Sequence, residues 1–202
     1  MKLFGHPMST CTRKTLFTLH ETATPFDFGL VDFAKGEHKQ PEHLARQPFG
    51  QVPALDDGFP LYESRAMMRY IDEKAGGKLT PTDPQQRALM EQWISVETSN
   101  FTPHAMKFIY HSIFKREQTP EVLAAAKVGL EHACDVLEAA LAKHPYLCGD
   151  ELTLADICYA PYFEYAMGSD AREVILARPH VAAWWNRISE RPAWQKATGR
   201  AA

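Results

Sequence analysis

The first thirty residues contain two short stretches with apolar residues, separated by one longer segment that mixes polar and apolar residues. Lys2–Gly5 ends at His6-Pro7 and predicts a strand, and a helix is predicted from about Thr10 to about Glu21. In Pro25–Val31 apolar residues alternate with smaller or polar ones, which indicates a second strand. This order predicts a βαβ unit with a parallel pair of strands and a right-handed crossover.

The chain then becomes polar before two further strands. Segment 34–48 is polar and has one short helical piece near Pro41 to Ala45. A strand is predicted at Val52–Leu55, and a second one at Leu61-Tyr62. Asp57-Gly58 lies between them and is typical of a hairpin turn.

A helix predicted from Ser64 has one apolar face and stops at Gly76-Gly77. The complete order, βαβ followed by ββα, is a thioredoxin-like arrangement. Residues 75–84 are rich in glycine and proline and show no periodicity, so they mark a linker. The predicted boundaries are therefore a first domain at 1–76, a linker at 77–84 and an all-helical domain at 85–202.

The pattern beyond the linker is helical throughout. Residues 84 to about 116 predict one long helix or two, with a kink at Pro103. Thr119-Pro120-Glu121 is typical of a helix start, with a threonine cap, a proline in the first turn and an acid. An apolar stripe with spacings of three and four follows: Leu123, Ala126, Leu130, Ala133, Leu137 and Leu141.

A capping box is predicted farther along the helical half. Thr153 can accept a hydrogen bond from the Asp156 N–H while the Asp156 carboxylate accepts one from the Thr153 N–H. Both groups serve to start a helix. We therefore interpret Asp156 as structural rather than catalytic.

The composition is that of an ordinary globular protein, with 202 residues, 45% apolar residues and a formal net charge of −3. The acidic balance argues against nucleic-acid binding, which needs a basic surface. No apolar run has signal-peptide or membrane-span length, so we expect a cytoplasmic protein. The cysteines and histidines lack metal-ligand spacing, which predicts cytosolic thiols and no metal site; the cysteines are Cys11, Cys134, Cys148 and Cys158.

The stretch 47–68, QPFGQVPALDDGFPLYESRAMM, places a proline where its first strand should pair. Proline has no N–H and favours extended geometry at Val52 before it, which leaves the Val52 N–H and C=O for an added peptide. Glu63-Ser64 opens a helix, and a helix N-terminus favours a carboxylate. The alternative is a surface edge strand with an ordinary serine cap. Together the features suggest a site for an extended peptide that bears a carboxylate.

QPFGQVPAL followed by LYESRA resembles the glutathione-binding segment of the cytosolic glutathione S-transferases, particularly the serine-type phi and theta-like classes. YLCGDELTLADICYAP resembles the start of a buried helix in that family, and ARPHVAAWWNRISERPAWQKA resembles its last helix. The resemblance spans nearly the whole chain. It implies an α+β fold of two domains, thioredoxin-like and then all-α, in a detoxifying homodimer.

The resemblance also implies where glutathione binds. In the family the proline matching Pro53 is cis, and the residue matching Val52 pairs with the cysteinyl backbone of glutathione. The residues matching Glu63 and Ser64 hold its γ-glutamyl carboxylate. Glutathione is thus the expected co-substrate.

The opposite end of glutathione is expected at the polar segment GEHK. In the family this segment lies against the glycine carboxylate, which gives His38 and Lys39 this role, with Gln51 at the same end or at the adjoining backbone. Two cations facing an anionic ligand are electrostatically favourable. A hydrophobic electrophile is the expected second substrate, although each candidate for its pocket is equally interpretable as core: Met8, Phe33, Met106 and Tyr110.

Glutathione is a nucleophile only as a thiolate, and the pKa of a free thiol is near 8.5. Lowering it by about two units needs ~2.7 kcal/mol, which one hydrogen bond to a charged group (~1.5–3 kcal/mol) at a helix N-terminus (~0.3–1 kcal/mol) supplies. GHPMS resembles the family segment whose serine donates to the glutathione sulfur. Ser9 is therefore the expected catalytic residue. Serine at such a junction is otherwise most often a helix cap, and Thr10 is an alternative cap.

Cys11 supports a different chemistry. A thiolate at a helix N-terminus forms mixed disulfides with glutathione, as in cysteine-type members of the superfamily. We interpret Cys11 as first-turn packing, and the alternative is a glutathione-dependent thiol–disulfide oxidoreductase or peroxidase. A further alternative is a non-catalytic ligand-binding module, against which the intact set of glutathione ligands from His38 to Ser64 argues.

Overall fold

The computed structural model describes residues 1–200, whose packing forms two compact units. The first comprises Met1–Thr80 and the described residues from Arg191 onward, and the second comprises Pro81–Glu190. Within residues 1–200, no helix is long and apolar enough to cross a lipid bilayer. The same residues contain no group of three or more His, Cys, Asp or Glu side chains suited to a metal ion.

A four-stranded mixed sheet organises the first unit, with the strand order β2-β1-β3-β4. β1 and β2 are parallel, and the other two pairs are antiparallel. Helix α1 connects β1 to β2, and helix α3 follows β4, which is the expected βαβ-ββα order. The elements are β1 (Lys2–Gly5), α1 (Thr10–Glu21), β2 (Asp27–Leu30), a 3₁₀ turn (Glu37–Lys39), α2 (Pro41–Leu44), β3 (Ala54–Asp56), β4 (Pro60–Tyr62) and α3 (Ser64–Lys74).

The sheet register separates buried from exposed apolar residues. Leu3 pairs with Phe28 on one side and with Leu55 on the other, so the three side chains share a face. Leu3 and Leu55 are fully buried, whereas Phe28 is 41% exposed. The alternation in the sequence correctly predicts the second strand. Its place at the sheet edge leaves Phe28 and Leu30 partly open to solvent.

The last described helix, α10 (Pro192–Ala197), belongs to the first unit, not the second. It packs on α1, with the Phe17 and Trp194 rings 5.2 Å apart, and Arg191 pairs with Glu21. The expected last helix of the family is therefore two helices here, because Arg191-Pro192 separates α10 from α9. The boundary expected at 85–202 includes these residues with the all-helical part, whereas packing places them with the sheet.

The second unit is entirely helical. Its helices are α4 (Pro84–Val96), α5 (Thr102–Ser112), α6 (Pro120–Leu141), α7 (Leu154–Ala166), α8 (Ala171–Leu176) and α9 (Pro179–Ser189). One turn of π-helix, Glu97–Phe101, separates α4 from α5. Pro103 lies in the first turn of α5 and has no N–H to continue an α-helical ladder, which explains an interruption at this point. The predicted kink is thus a change of helix type.

Aromatic rings fill the centre of the second unit. Phe101 and Phe163 are stacked at 5.0 Å, and Trp184 meets Phe163 edge-on at 4.8 Å. All three side chains are buried. The α6 stripe also faces this core: Leu130, Leu137 and the neighbouring Cys134 are nearly or fully buried, as the helical spacing predicts.

Candidate active site

Ser9 caps the first helix. It precedes α1, its backbone is extended, and its Oγ accepts a hydrogen bond from the Thr12 N–H at 3.2 Å. A hydroxyl has two lone pairs and one proton, so an oxygen that accepts this bond still has its proton to donate. Thr10, the alternative cap, is the first residue of the helix instead. The half-buried Ser9 therefore combines a capping role with a free donor function.

Cys11 lies in the first turn of α1 and is half-buried. Its carbonyl accepts a hydrogen bond from the Thr15 hydroxyl. Burial raises the pKa of Cys134 to about 12 and that of Cys148 to about 11, which disfavours their thiolates. All four described cysteines are free thiols. Cys11 is thus the cysteine near the predicted site, as the sequence indicates.

The segment predicted to bind a peptide, 47–68, contains a cis bond between Val52 and Pro53. β3 starts only at Ala54, one residue after the proline, rather than at Val52. Among the described residues, the backbone N–H and C=O of Val52 have no hydrogen-bond partner. An extended ligand can therefore pair with Val52 as a strand would.

Two buried side chains hold the residue before Val52, and sequence reasoning missed both. His43 Nε2 lies 2.7 Å from the Gln51 carbonyl oxygen, and the Gln51 N–H donates to Gln47 Oε1 at 3.2 Å. His43 is 4% exposed and Gln47 is 2% exposed. The backbone of Gln51 is thus satisfied internally, while its side chain is exposed. No local pattern in the sequence signals these contacts.

Glu63 precedes α3 with a left-handed backbone, φ 70° and ψ 108°. This region is sparsely populated by residues other than glycine, and such outliers cluster at functional sites. Ser64 is the first residue of α3 and is 3% exposed, whereas the Glu63 side chain is exposed. The pair therefore places a buried hydroxyl and an accessible carboxylate at the positive end of a helix.

His38 and Lys39 lie in the short 3₁₀ turn between β2 and α2. The Lys39 ammonium donates to the Phe49 carbonyl at 3.1 Å, and the lysine side chain lies so close to Gly50 that a Cβ there would meet Nζ at 2.7 Å. Lys39 is nonetheless exposed. The Nδ1 atom of His38 is buried without a hydrogen-bond partner among the described residues.

The candidates for the second-substrate pocket lie in different units. Met8 and Phe33 belong to the first unit and are 46% and 42% exposed. Met106 and Tyr110 belong to α5 in the second unit and are half-buried. The Tyr110 ring is covered on one side by the Arg116 guanidinium, whose carbon lies 5.2 Å from the ring centroid. Exposure permits Met8 and Phe33 to contact a ligand.

Models of known protein families match both parts of the chain. Residues 1–73 match the glutathione S-transferase N-terminal domain, and residues 101–192 match the glutathione S-transferase C-terminal domain. Glutathione S-transferase F9 of Arabidopsis thaliana is 37% identical and covers 99% of this chain and 97% of its own length. The chain belongs to the glutathione S-transferase family.

Solved structures give the same result. Glutathione transferase F7 from Populus trichocarpa has a TM-score of 0.91 at 38% identity, covering 98% of this chain and 97% of its own. Glutathione S-transferase I from mais, solved with an atrazine glutathione conjugate, has a TM-score of 0.90 at 34% identity, covering 98% and 96%. These phi-class relatives confirm the predicted fold, the transferase class and glutathione as the co-substrate.

Proposed function

We propose that the Ser9 hydroxyl donates a hydrogen bond to the glutathione sulfur and stabilises its thiolate, which attacks a small hydrophobic electrophile. The observation that carries this proposal is the Ser9 Oγ at the start of α1, which accepts from Thr12 and keeps its proton for a ligand. The positive end of the helix acts in the same direction. Together they reach the ~2.7 kcal/mol that a shift of about two pKa units requires.

The glutathione backbone is proposed to extend along Val52, whose N–H and C=O are unpaired among the described residues. At the γ-glutamyl end, the Ser64 hydroxyl and the first turn of α3 bind the carboxylate. The Glu63 carboxylate complements the neighbouring ammonium group of the same γ-glutamyl residue. The left-handed backbone of Glu63 supports this assignment, because it fixes a charged side chain at the helix start.

At the glycine end, His38, Lys39 and the Gln51 side chain are proposed to bind the glycine carboxylate. The exposed cation of Lys39 supports this role, and His38 precedes it in the same 3₁₀ turn. The bond from Lys39 to the Phe49 carbonyl leaves two of the three ammonium protons for a ligand. Because the Gln51 backbone is held by His43 and Gln47, the position of its side chain is fixed before the ligand arrives.

The remaining assignments come from the sequence and, for the homodimer, from the family. We propose that the exposed Met8 and Phe33 of the first unit contact the electrophile, and that the protein is a cytoplasmic homodimer. Sedimentation equilibrium measures the oligomeric state directly. A monomer at micromolar concentration contradicts that part of the proposal.

The decisive experiment is an ultraviolet difference titration of the bound glutathione thiol in wild type, Ser9→Ala and Ser9→Gly. Both variants lose the hydroxyl, so the pKa of the bound thiol should rise to near 8.5 in both. The conjugation rate at pH 6.5 should fall about 10- to 50-fold, in proportion to the thiolate fraction. Because glycine caps a helix nearly as well as serine whereas alanine costs about 1 kcal/mol, thermal melting separates lost capping from lost chemistry.

A thiol pKa that is equal in wild type and both variants contradicts the role of Ser9. In that case recovery of a glutathione adduct on Cys11 by mass spectrometry would identify the oxidoreductase alternative. Absence of bound glutathione in the titration would instead support the non-catalytic module.

A further inference from the structure

The turn that carries Ser9 is held by one residue, His6. The Ser9 N–H donates to the His6 carbonyl at 2.9 Å, which closes a four-residue turn with Pro7 in its second position. Within the turn, the Met8 N–H donates to His6 Nδ1 at 3.2 Å. The His6 N–H in turn donates to Thr12 Oγ1 at 3.3 Å. His6 thus fastens the turn through its carbonyl, its ring and its N–H.

The ring contact has the form of an Asx turn. In that motif an asparagine or aspartate side chain accepts a hydrogen bond from the N–H two residues on. Nδ1 of His6 is bonded to Cγ, as Oδ1 of asparagine is, so it occupies the equivalent acceptor position. Because Nδ1 accepts from Met8, the neutral ring carries its proton on Nε2.

A row of three rings joins this turn to the glycine end of the proposed glutathione site. The His6 and Phe33 rings are stacked, with centroids 4.8 Å apart and an angle of 23° between their planes. Phe33 meets His38 edge-on, with centroids 5.0 Å apart at 90°. Ser9, proposed to contact the glutathione sulfur, and His38, proposed to contact the glycine carboxylate, are therefore connected by packed side chains within one unit.

The approach of α1 to β1 adds a further constraint. A Cβ on Gly5 would meet Thr12 Cγ2 at 2.6 Å, so glycine allows Thr12 to lie against the end of β1. Thr12 is fully buried there. From this fixed position the Thr12 N–H donates to Ser9 Oγ, and the Thr12 hydroxyl oxygen accepts from the His6 N–H.

We propose that His6 is a positioning residue for the thiolate. Its Nδ1 fixes Met8, and through the turn it holds the Ser9 hydroxyl where it donates to the sulfur. Phe33 packs against the His6 ring and, on its other side, contacts His38. The inference rests on the proposed role of Ser9, and His6 itself contacts neither the thiol nor the electrophile.

Two substitutions separate the ring from its acceptor atom. His6→Phe keeps an aromatic ring against Phe33 and removes the acceptor, whereas His6→Asn keeps the acceptor and removes the ring. We expect His6→Phe to raise the pKa of the bound thiol and to lower kcat about five- to tenfold, the size that loss of one hydrogen bond predicts, with KM for glutathione changed less. We expect His6→Asn to restore most of both losses.

The double variant tests whether His6 acts through Ser9. In a Ser9→Ala background, His6→Phe should leave the thiol pKa where Ser9→Ala alone puts it. Additive shifts, or a thiol pKa in His6→Phe equal to that of wild type, would overturn the inference. If neither His6 variant folds, Phe33→Leu provides the test: the pKa of the bound thiol should rise, because the His6 ring loses the side chain stacked against it, and an unchanged thiol pKa contradicts the inference. Ser9→Ala alone reports on the proposed function, so the two failures are distinguishable.

Discussion

The helices α1 and α7 both begin with a hydroxyl side chain at the N-cap, Ser9 and Thr153. They differ in whether a protein carboxylate occupies the first turn. At α7 the Asp156 carboxylate accepts from the Thr153 N–H at 2.9 Å, the Leu147 N–H at 3.0 Å and the Trp184 indole N–H at 2.9 Å. At α1 Ser9 provides the cap, and no acid lies in the first turn. The Asp156 carboxylate closes the start of α7, whereas the first turn of α1 contains no acid and its positive end is favourable for an anion.

Burial explains why the closed start carries no chemistry. Asp156 is fully buried, which raises the pKa of its carboxyl, and the hydrogen bonds from Leu147, Thr153 and Trp184 act against that rise. Its oxygens are occupied by protein donors. Ser9 is half-buried and retains a proton to donate. Similar sequence signatures therefore serve stability at α7 and, in the role proposed for Ser9, ligand binding at α1, and the surroundings decide which.

The largest effect on stability is expected from removing the Asp156 carboxylate at the start of α7. Asp156→Ala leaves several buried donors without an acceptor, each at a cost of about 1–3 kcal/mol, so the free energy of unfolding should fall by more than about 4 kcal/mol. Urea denaturation followed by circular dichroism measures it. The matched control is Asp150→Ala, since the Asp150 side chain is 86% exposed and its loss should cost less than about 0.5 kcal/mol. Equal losses would contradict the comparison.

A smaller effect, on both helix stability and the thiol pKa, is expected from adding a carboxylate at the start of α1. Thr10→Glu places a carboxylate in the first turn of α1, which should stabilise the helix by about 0.3–1 kcal/mol. The same charge opposes the thiolate, so the pKa of the bound thiol should rise by about 0.2–0.7 units. Difference titration and thermal melting measure the two signs separately. Thr10→Gln is the uncharged control, and a thiol pKa equally raised by both variants would show that charge is not the cause.

The smallest effect is expected at the far end of α1. Burial, and secondly the charge of Lys196, lower the pKa of His20 below its usual 6.5. Between the folded pKa and 6.5 the unfolded chain binds more protons, so the free energy of unfolding should fall as the pH falls through this window. Urea midpoints at pH 7.5 and 5.5 should differ less in His20→Gln than in wild type. An identical difference in both proteins would show that His20 makes no contribution.

Local rules account for most of the elements. The predicted bounds of β1 and α1 agree with the structure residue for residue, because a strand that ends at His6-Pro7 and a helix capped by Ser9 are specified by neighbouring residues. Thr119 accepts from the Val122 N–H, as the predicted helix start requires. The capping box of Thr153 and Asp156 forms as predicted.

Contacts between residues far apart in sequence decided the rest. The placement of α10 depends on Trp194 meeting Phe17, and the hold on Gln51 depends on the buried His43 and Gln47. Neither is visible in any short window of the sequence, because packing pairs residues by position in space.

By itself the sequence determined the order of the elements, the helix caps and the family, since each depends on short-range chemistry or on a specific motif. The tertiary structure alone decided which cap stays open. The Asp156 carboxylate is buried and accepts a hydrogen bond from the Trp184 indole, so it is not available to a ligand. The turn that contains His6 leaves the Ser9 hydroxyl accessible. The physical reason is that capping satisfies a backbone group locally, while availability to a ligand depends on everything packed around it.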